Sequence, residues 1–440
     1  MDAEDHVGLD RMIADLTRFV AIRSISSDPD HADDVRRSAN EIAAAFAEVG
    51  AAAEVVTAPG GLPSVVGRLP GPKDAPVVLL YAHHDVQPIG RRSEWHSDPF
   101  TLTERGGRLF GRGAADDKGG IAVHLETLRQ LGPELPANIA ILIEGEEEIG
   151  SPTLPQLLAD HQSMLAADVV LALDSVNADQ RTPSLTESLR GLLNVVITVR
   201  TANRAMHSGI YGGAVPDALS ALIRLLATVT DAEGVVEVAG LAAGVTGSGG
   251  PSAEQIRGDS GMLPSVELVG RGSMADRLWN QPVATVTGID ATPVDSAANV
   301  LSPVARASVS FRLAPEDDPA TAAQAIERHF RTHAPWGVDL GFEVVASGRG
   351  WRARNTRTAE MARTALNDAY GTAPVPLGVG GGIPFVATLT EALPDVDVVV
   401  TAVQDPVSNA HAPNESVDTF ALTAAARAQV SLIQRLSRAT

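Results

Sequence analysis

The sequence predicts an α/β protein of the α/β/α type, with a mostly parallel sheet between helices and a smaller α+β, ferredoxin-like domain inserted into it. Three observations support this prediction. The chain has 440 residues, a length above the limit at which a single hydrophobic core usually stops growing, so two domains are expected. Short apolar runs rich in branched residues alternate with segments whose apolar residues recur at helical spacing. In the middle of the chain, the order of predicted elements changes to β-α-β-β-α-β.

The chain opens with two predicted helices. Apolar residues recur at helical spacing from Leu9 to Val20, so this segment should pack one face on a core. A second helix is predicted over residues 39–49. It should end at Gly50, because glycine tolerates the positive φ at which many helices end.

Four apolar runs then predict the strands of the larger domain: 77–82, 139–143, 169–173 and 396–402. Runs of this length without alternation are typical of strands that are buried on both faces of a parallel sheet. A helix is predicted between the first two runs, over 119–131, with Gly132 as its stop. Strand, helix and strand in this order is the α/β pattern.

The inserted domain begins near Leu189 and ends near Gly350. Its predicted elements are strand 193–199, helix 215–229, strand 283–287, strand 305–313, helix 319–333 and strand 338–345. Residues 231–282 form a long glycine-containing excursion, which is either functional or partly ordered by itself. The first domain then resumes with helix 358–369, a glycine-rich stretch at 378–382, the strand near 396 and a helix from about 417.

Composition excludes several classes of protein. The chain carries 34 Lys and Arg against 54 Asp and Glu, a formal charge of -20, which disfavours nucleic acid and anionic membranes as partners. It has no cysteine, so any metal must be held by His and carboxylates. The N-terminus lacks the basic start and apolar run of a signal peptide, and no apolar stretch approaches the ~20 residues of a membrane span. A cytoplasmic protein is therefore expected.

Candidate metal ligands follow the predicted strands. His83 and Asp85 come after the first run, Glu146 to Glu148 after the second, and Asp174 after the third; His411 follows the last across a short loop. In open α/β sheets, ligands bind at the carboxyl ends of the strands, so these groups should converge.

Spacing suggests how His83 is oriented. In extended chain His83 and Asp85 lie on the same side, so Asp85 can hydrogen-bond the ring nitrogen that is not on a metal. His84 points the other way and is expected to be structural. The motif is weak by itself, because most such pairs are not metal sites.

Two carboxylate-rich segments complete the set. The glycine-rich stretch 111–120 carries Asp116 and Asp117; a phosphate-binding loop is the alternative, but the spacing fits no nucleotide fingerprint. The acidic run 144–148 is either a solvated loop or a group of carboxylates whose repulsion a cation relieves. Two His and three carboxylates, one of them shared, give each of two metals three protein ligands and an open position, as in catalytic zinc sites.

At the level of motifs, the chain resembles the dinuclear zinc exopeptidase family that contains carnosinase, cytosolic nonspecific dipeptidase, glutamate carboxypeptidase, acetylornithine deacetylase and succinyl-diaminopimelate desuccinylase. The resemblance is greatest to the dipeptidase-like members and covers essentially the whole chain. It rests on four blocks: His-His-Asp-Val-Gln-Pro at 83–88, Gly-Arg-Gly-Ala-Ala-Asp-Asp-Lys-Gly at 111–119, Glu-Glu-Ile-Gly-Ser at 147–151 and Met-His-Ser-Gly-Ile-Tyr-Gly-Gly at 206–213.

The resemblance implies the roles of the metal ligands. His83, Asp116 and Asp174 would hold one metal, and Asp116, Glu148 and His411 the other, with zinc as the default and manganese or cobalt as alternatives. It also implies a cis peptide bond between Asp116 and Asp117.

A base and its neighbours are implied as well. Glu147 would be the general base and then the general acid, with Asp85 supporting the site. Glu146 and Glu147 are the alternative base and ligand pair, but the following Ile-Gly-Ser favours Glu147 and Glu148.

Further residues are implied in the inserted domain and near 380. His207 would stabilise the oxyanion in the neighbouring subunit, which predicts a homodimer. Arg312 would bind the substrate carboxylate, with an ion pair at a strand end as the alternative. Gly381 and Gly382 would bring backbone amides to the same end of the substrate. Val300 and Gly382 stand where dipeptidase members usually have polar side chains.

In terms of domains, the resemblance assigns residues 1–188 and 350–440 to a metal-binding catalytic domain and 189–349 to an inserted lid and dimerisation domain. The implied activity is that of a dipeptidase-like exopeptidase acting on a small peptide. An N-acyl amino acid deacylase or desuccinylase of the same family is the alternative. A noncatalytic metal-containing binding protein is the hypothesis from another class.

Overall fold

The computed structural model describes residues 3–245, 250–380 and 384–438. Over this part of the chain, the helices are α1 (Ala3–Val20), α2 (Ala32–Glu48), α3 (Lys118–Leu131), α4 (Leu154–Asp160), α5 (Gln162–Leu165), α6 (Ser208–Tyr211), α7 (Ala218–Leu226), α8 (Ala253–Ser260), α9 (Pro319–His333), α10 (Arg357–Tyr370), α11 (Pro384–Ala392) and α12 (Thr419–Ser437). None of these helices is long and apolar enough to cross a membrane.

The strands of the same residues are β1 (Ala52–Val56), β2 (Ser64–Leu69), β3 (Val77–His83), β4 (Thr103–Arg105), β5 (Arg108–Phe110), β6 (Asn138–Glu144), β7 (Val169–Ala172), β8 (Ser184–Leu189), β9 (Gly191–Arg200), β10 (Met206–His207), β11 (Val283–Ile289), β12 (Val300–Leu301), β13 (Val304–Leu313), β14 (Asp339–Gly348), β15 (Trp351–Arg352), β16 (Val375–Val379), β17 (Asp397–Val400) and β18 (Ser416–Asp418).

The chain forms two compact units. The first comprises Met1–Glu187, Ala353–Leu377 and Pro384–Thr440, and the second comprises Ser188–Arg352 and a short stretch that starts at Gly378. The sequence predicted that all of 350–440 belongs to the first domain, whereas the structure groups the stretch from Gly378 with the second unit. Its backbone bonds to the second unit, since the Arg190 N–H donates to the Val379 carbonyl at 3.2 Å.

The first unit is built on a six-stranded sheet of order β1-β2-β6-β3-β7-β17. Strands β6, β3, β7 and β17 run parallel, while β2 is antiparallel to β6 and β1 to β2. The four predicted runs correspond to β6, β3, β7 and β17, and the mixed α/β class is confirmed. The edge pair β1 and β2 was not predicted.

Helices cover both faces of this sheet. Val78 and Leu80 of β3 belong to the same core cluster as Ile121 and Leu125 of α3, and residues of α2, α10 and α12 complete that cluster. On the opposite face, Tyr81 stacks on Phe385 of α11 with ring centroids 3.4 Å apart. Full burial of a valine, leucine or isoleucine side chain such as those in this cluster stabilises the fold by roughly 1.5–3 kcal/mol.

Helix α2 is longer than predicted. It begins at Ala32, seven residues before the expected start at 39. Asp33 and Asp34 lie in its first turn, where carboxylates interact favourably with the helix dipole, and Val35 is the first buried residue of its apolar face.

The second unit contains an antiparallel sheet of order β11-β13-β9-β14. This is the ferredoxin-like order that the sequence predicted. One face packs on α7 and α9, where Leu193 and Ile197 of β9 join Leu222 of α7 and Phe330 of α9 in a buried cluster. The excursion 231–282 carries α8 and a π-helical turn, Asp276–Asn280, with irregular chain between them in its described part.

Candidate active site

Five side chains in the first unit form two groups that could hold metal ions. One group is His83, Asp116 and Asp174, the other is Asp116, Glu148 and His411, and within each group the potential ligand atoms lie within 4.8 Å of one another. Asp116 belongs to both groups. Two imidazoles and three carboxylates are a donor set that suits zinc and similar divalent cations.

The two oxygens of Asp116 are divided between the groups. Asp116 Oδ1 lies 3.0 Å from His83 Nε2, and Oδ2 lies 3.0 Å from His411 Nε2. The remaining carboxylates are close to the same nitrogens: Asp174 Oδ1 is 3.9 Å from His83 Nε2, and Glu148 Oε2 is 3.2 Å from His411 Nε2. This is the arrangement expected of a bridging carboxylate.

Three of the candidate ligand positions result directly from the parallel sheet. His83 is the last residue of β3, Asp174 follows β7 by two residues, and Glu148 lies in the 3-10 turn Glu147–Ile149 after β6. Because β6, β3 and β7 are neighbours, their carboxyl ends bring these residues together.

Asp116 reaches the site from the glycine-rich loop between β5 and α3. Gly113 in this loop has φ of +82°, and a Cβ there would meet Val86 Cγ1 at 2.7 Å. The bond between Asp116 and Asp117 is cis, as the resemblance implied. Asp117 caps α3 by accepting from the Gly120 N–H at 3.2 Å.

His411 is held in a loop with unusual backbone. Asn409, His411 and Asn414 all have positive φ, at 54°, 63° and 64°. Asn414 fixes the loop, because its Oδ1 accepts from the His96 N–H and its Nδ2 donates to the Glu94 carbonyl, both at 2.8 Å. Non-glycine residues with a positive φ are often found at functional sites.

Burial and proximity shift the pKa values of these groups. Burial opposes charge on His83, but its hydrogen bond to Asp116 and the nearby carboxylates outweigh this and hold its pKa well above the usual range. Hydrogen bonds to Asp116 and Glu148 raise the pKa of His411 to about 10. Burial, and then repulsion from Asp116, raises the pKa of Asp174 to about 7. Cation binding at these groups would therefore release protons.

Asp85 contacts more partners than the sequence predicted. The His83 Nδ1 atom is 3.1 Å from the backbone carbonyl of Asp85 and 3.4 Å from its Oδ1. The carboxylate accepts from the backbone N–H groups of Glu147 and Glu148, at 3.2 and 3.1 Å. Asp85 thus connects the strand that carries His83 to the turn that carries Glu147 and Glu148.

The acidic run 144–148 is not a solvated loop. Glu144 is buried and accepts from the Tyr81 hydroxyl at 2.7 Å. Glu146 is also buried and accepts from the Leu62 N–H and from both the N–H and the hydroxyl of Thr153. Structural hydrogen bonds therefore occupy both oxygens of Glu146 and one oxygen of Glu144, which favours Glu147 and Glu148 over Glu146 for chemistry.

Glu147 and Glu148 differ in their surroundings. Gln87 donates to Glu148 Oε2 from its side chain at 2.8 Å and to Oε1 from its backbone at 3.1 Å. The Glu147 carboxylate accepts no hydrogen bond from the described residues. Burial, and then the charge of Asp174, raises its pKa well above the usual range.

Comparison with known proteins identifies the family. The model of peptidase family M20/M25/M40 matches residues 79–435. The chain belongs to this family. It is 33% identical over 419 residues to the cysteinylglycine-S-conjugate dipeptidase of Corynebacterium striatum, covering 93% of this chain and 92% of that protein. This M20 peptidase is therefore a metal-dependent hydrolase of the dipeptidase-like type.

Two solved structures share the fold along the whole chain. The dipeptidase Dug1p of Saccharomyces cerevisiae has a TM-score of 0.78 at 23% identity, covering 99% of this chain and 98% of that one. The M20 family metallo-carboxypeptidase Sso-CP2 of Sulfolobus solfataricus has a TM-score of 0.81 at 23% identity and covers 100% of both chains.

His207 lies in the second unit of this M20 peptidase. It is exposed at the end of β10, where it pairs with Val300 of β12. Its Nδ1 accepts from the Gly209 N–H at 3.0 Å, so in the neutral ring the proton is on Nε2. His207 therefore presents a hydrogen-bond donor to its surroundings, and Val300 beside it offers no polar side chain.

Arg312 is on β13, on the sheet face opposite α7 and α9. Arg190 is close to it, since burial and then the charge of Arg312 lower the pKa of Arg190 to about 10. Arg190 is buried, and its Nη1 atom has no hydrogen-bond partner among the described residues. Neither guanidinium forms an ion pair within those residues. The predicted residues Gly381 and Gly382 lie outside the described part of the chain.

Several residues of the site were missed at the level of sequence. Gln87 lies in the block 83–88, two residues beyond Asp85, and this spacing could have indicated a shared side of the chain. Arg190 directly precedes β9. The only feature of the sequence that could have indicated a role for it is a positive charge next to an apolar strand. Glu415 follows His411 by four residues, and nothing in its local sequence distinguishes it from a solvated loop residue.

Proposed function

We propose that this M20 peptidase hydrolyses the amide bond of small dipeptides, with two divalent metal ions, zinc by preference, held by the two groups that share Asp116. The observation that supports this proposal most is the division of the Asp116 oxygens, one toward each histidine at 3.0 Å. When bound, such ions lower the pKa of a water molecule and polarise the scissile carbonyl.

Glu147 is the proposed general base. It accepts no hydrogen bond from the described residues, it adjoins the ligand Glu148, and its backbone is held by Asp85. Its carboxylate takes the proton of the attacking water and delivers it to the leaving amine. Asp85 supports this step by fixing both the His83 ring and the turn that carries Glu147.

We further propose that His207 donates its Nε2 proton to the developing oxyanion of a neighbouring subunit. Large apolar side chains surround it in sequence and are exposed: Ile210 at 71% and Tyr211 at 42%. The edge strands β11 and β14 also expose aliphatic side chains, among them Val286 and Val345. These features favour a homodimer, because exposed apolar surface of this kind is typical of protein interfaces.

Arg312 is proposed to bind the substrate carboxylate. A guanidinium pairs with a carboxylate through two parallel hydrogen bonds, and two neighbouring guanidiniums without an acidic partner favour an anion. Such a pair would suit a dipeptidase and an N-acyl amino acid deacylase equally, because the substrates of both end in a free carboxylate.

Substrate assays on the purified enzyme test the proposal. The panel contains cysteinylglycine S-conjugates, other dipeptides with a C-terminal glycine, and N-acetyl and N-succinyl amino acids. We expect turnover of dipeptides by the parent, and turnover that is about 10²- to 10⁴-fold slower by the Glu147→Gln variant at equal metal content. Turnover of the acylated amino acids alone would replace this proposal with the deacylase alternative. Absence of any turnover, with fewer than two metals bound, would favour the noncatalytic binding protein.

A further inference from the structure

Glu415 is a fully buried carboxylate that receives four hydrogen bonds from the loop before α3. Its Oε1 accepts from the backbone N–H groups of Ala115 at 2.9 Å and Asp116 at 3.1 Å. Its Oε2 accepts from the backbone N–H of Gly113 at 3.0 Å and from Arg112 Nη1 at 2.6 Å. The donors include the backbone of the shared ligand Asp116 itself.

Strand pairing brings Glu415 to this position. Strand β18 is antiparallel to β5, with Ser416 opposite Phe110. Glu415 precedes β18 and Gly111 follows β5, so the two residues lie opposite each other, and the Gly111 N–H donates to the Glu415 carbonyl at 3.0 Å. The Glu415 side chain therefore enters the loop that turns away from the end of β5.

The ion pair between Arg112 and Glu415 also contacts the segment that carries His411. Arg112, whose Nη1 bonds to Glu415, donates from Nη2 to the carbonyl of Pro88 at 3.1 Å and toward that of Ala412 at 3.5 Å. Ala412 is the neighbour of His411, and Pro88 ends the block that starts with His83. Three segments that carry metal ligands thus meet at one buried pair.

Neutralising Glu415 would leave these donors poorly matched. A glutamine keeps the shape but places an amide group against two of the four donors, and a buried donor without an acceptor is costly. The loop must then change shape, and Asp116 moves with it. Groups that orient metal ligands in this way typically change metal affinity by about 10- to 100-fold when they are replaced.

From these contacts we infer that Glu415 is a positioning residue that fixes the shared ligand Asp116 relative to His411 and so sets the metal affinity of the site. The inference rests on the proposed two-metal function. It assigns to Glu415 a role that differs from plain support of the fold, because its donors belong to the ligand loop.

The experiment compares Glu415→Gln with Glu126→Gln in the full-length protein. Glu126 is a matched control: it is also fully buried and paired with an arginine, with its Oε2 2.8 Å from Arg11 Nε. Its partners are Arg11 of α1 and Gln130 near the end of α3, and neither belongs to the loop that carries Asp116. Zinc is titrated into the metal-free proteins by calorimetry. The visible absorption spectrum of the cobalt-loaded proteins reports the coordination geometry.

We expect Glu415→Gln to bind zinc about 10- to 100-fold more weakly than the parent and to show an altered cobalt spectrum. Glu126→Gln should keep the parent's zinc affinity and spectrum, even if its unfolding midpoint falls. Glu415→Asp serves as the second variant where Glu415→Gln does not fold, because it keeps the charge but lacks the reach to all four donors.

The outcomes separate the two ideas. If the parent binds two zinc ions and the Glu415 variants bind them equally tightly with an unchanged cobalt spectrum, the inference is wrong and the proposed function stands. If the parent itself binds neither zinc nor cobalt, the proposed two-metal function fails, and the inference fails with it. If Glu415→Gln and Glu126→Gln weaken zinc binding equally, Glu415 contributes only to general stability, and the inference is also contradicted.

Discussion

Asp85→Asn tests whether one carboxylate aligns both halves of the site. The side chain accepts from two backbone N–H groups, one at each oxygen, in the turn that carries Glu147 and Glu148. Asparagine has the same shape but turns one acceptor into an amide donor, so one N–H loses its partner. A hydrogen bond to a charged group contributes about 1.5–3 kcal/mol. Since 1.36 kcal/mol corresponds to a tenfold change in rate, we expect kcat/KM to fall roughly 10- to 150-fold.

The assay is steady-state dipeptide hydrolysis at saturating zinc, with urea unfolding measured in parallel. Asp418→Asn is the control, because Asp418 is also buried and caps α12 through the Phe420 N–H at 2.8 Å, a task that asparagine performs as well. The control should keep its kcat/KM. If Asp85→Asn stays within about threefold of the parent while remaining folded, these hydrogen bonds do not align the turn, and the reasoning is refuted.

Three further predictions concern the chemistry. Glu147→Gln should lower kcat by about 10²- to 10⁴-fold and leave two metals bound, as measured by turnover and metal analysis; unchanged turnover would exclude Glu147 as the base. His207→Ala should lower kcat by about 10²- to 10³-fold. If His207 acts across a dimer, mixing and reassembling this variant with Glu147→Gln should restore about a quarter of the parent activity, because half of the dimers then contain one complete site; no recovery would contradict the exchange. Chelation should abolish activity and lower the thermal midpoint, and zinc, manganese or cobalt should restore both.

The convergence of the candidate ligands could be predicted because it follows from a local rule. His83 and Asp174 each come directly after a run of buried aliphatic residues, and in a parallel sheet such positions meet at one edge. The ferredoxin-like order of the second unit was predictable for a similar reason. Its alternation of strands and helices fits few arrangements of the chain.

The remaining features depend on contacts between distant segments. Glu415 meets Gly113 only because β18 pairs with β5, across about three hundred residues of chain. Strands β1 and β2 have short, mixed patterns, and pairing is what makes them strands: β2 pairs with β6, and β1 pairs with β2. The dual role of Asp85 depends on the turn at Glu147, whose place no local pattern fixes.

Under the proposed two-metal function, the shared carboxylate of Asp116 has a consequence for how the enzyme responds to metal supply. Because one side chain serves both groups, the free energy of filling the second position depends on whether the first is filled, and the dependence is equal in both directions. The population with both ions is then not the product of two separate occupancies. Activity plotted against free zinc therefore deviates from two independent binding curves. The size of that deviation measures the total interaction between the two ions, which combines their direct repulsion with the effect of sharing Asp116.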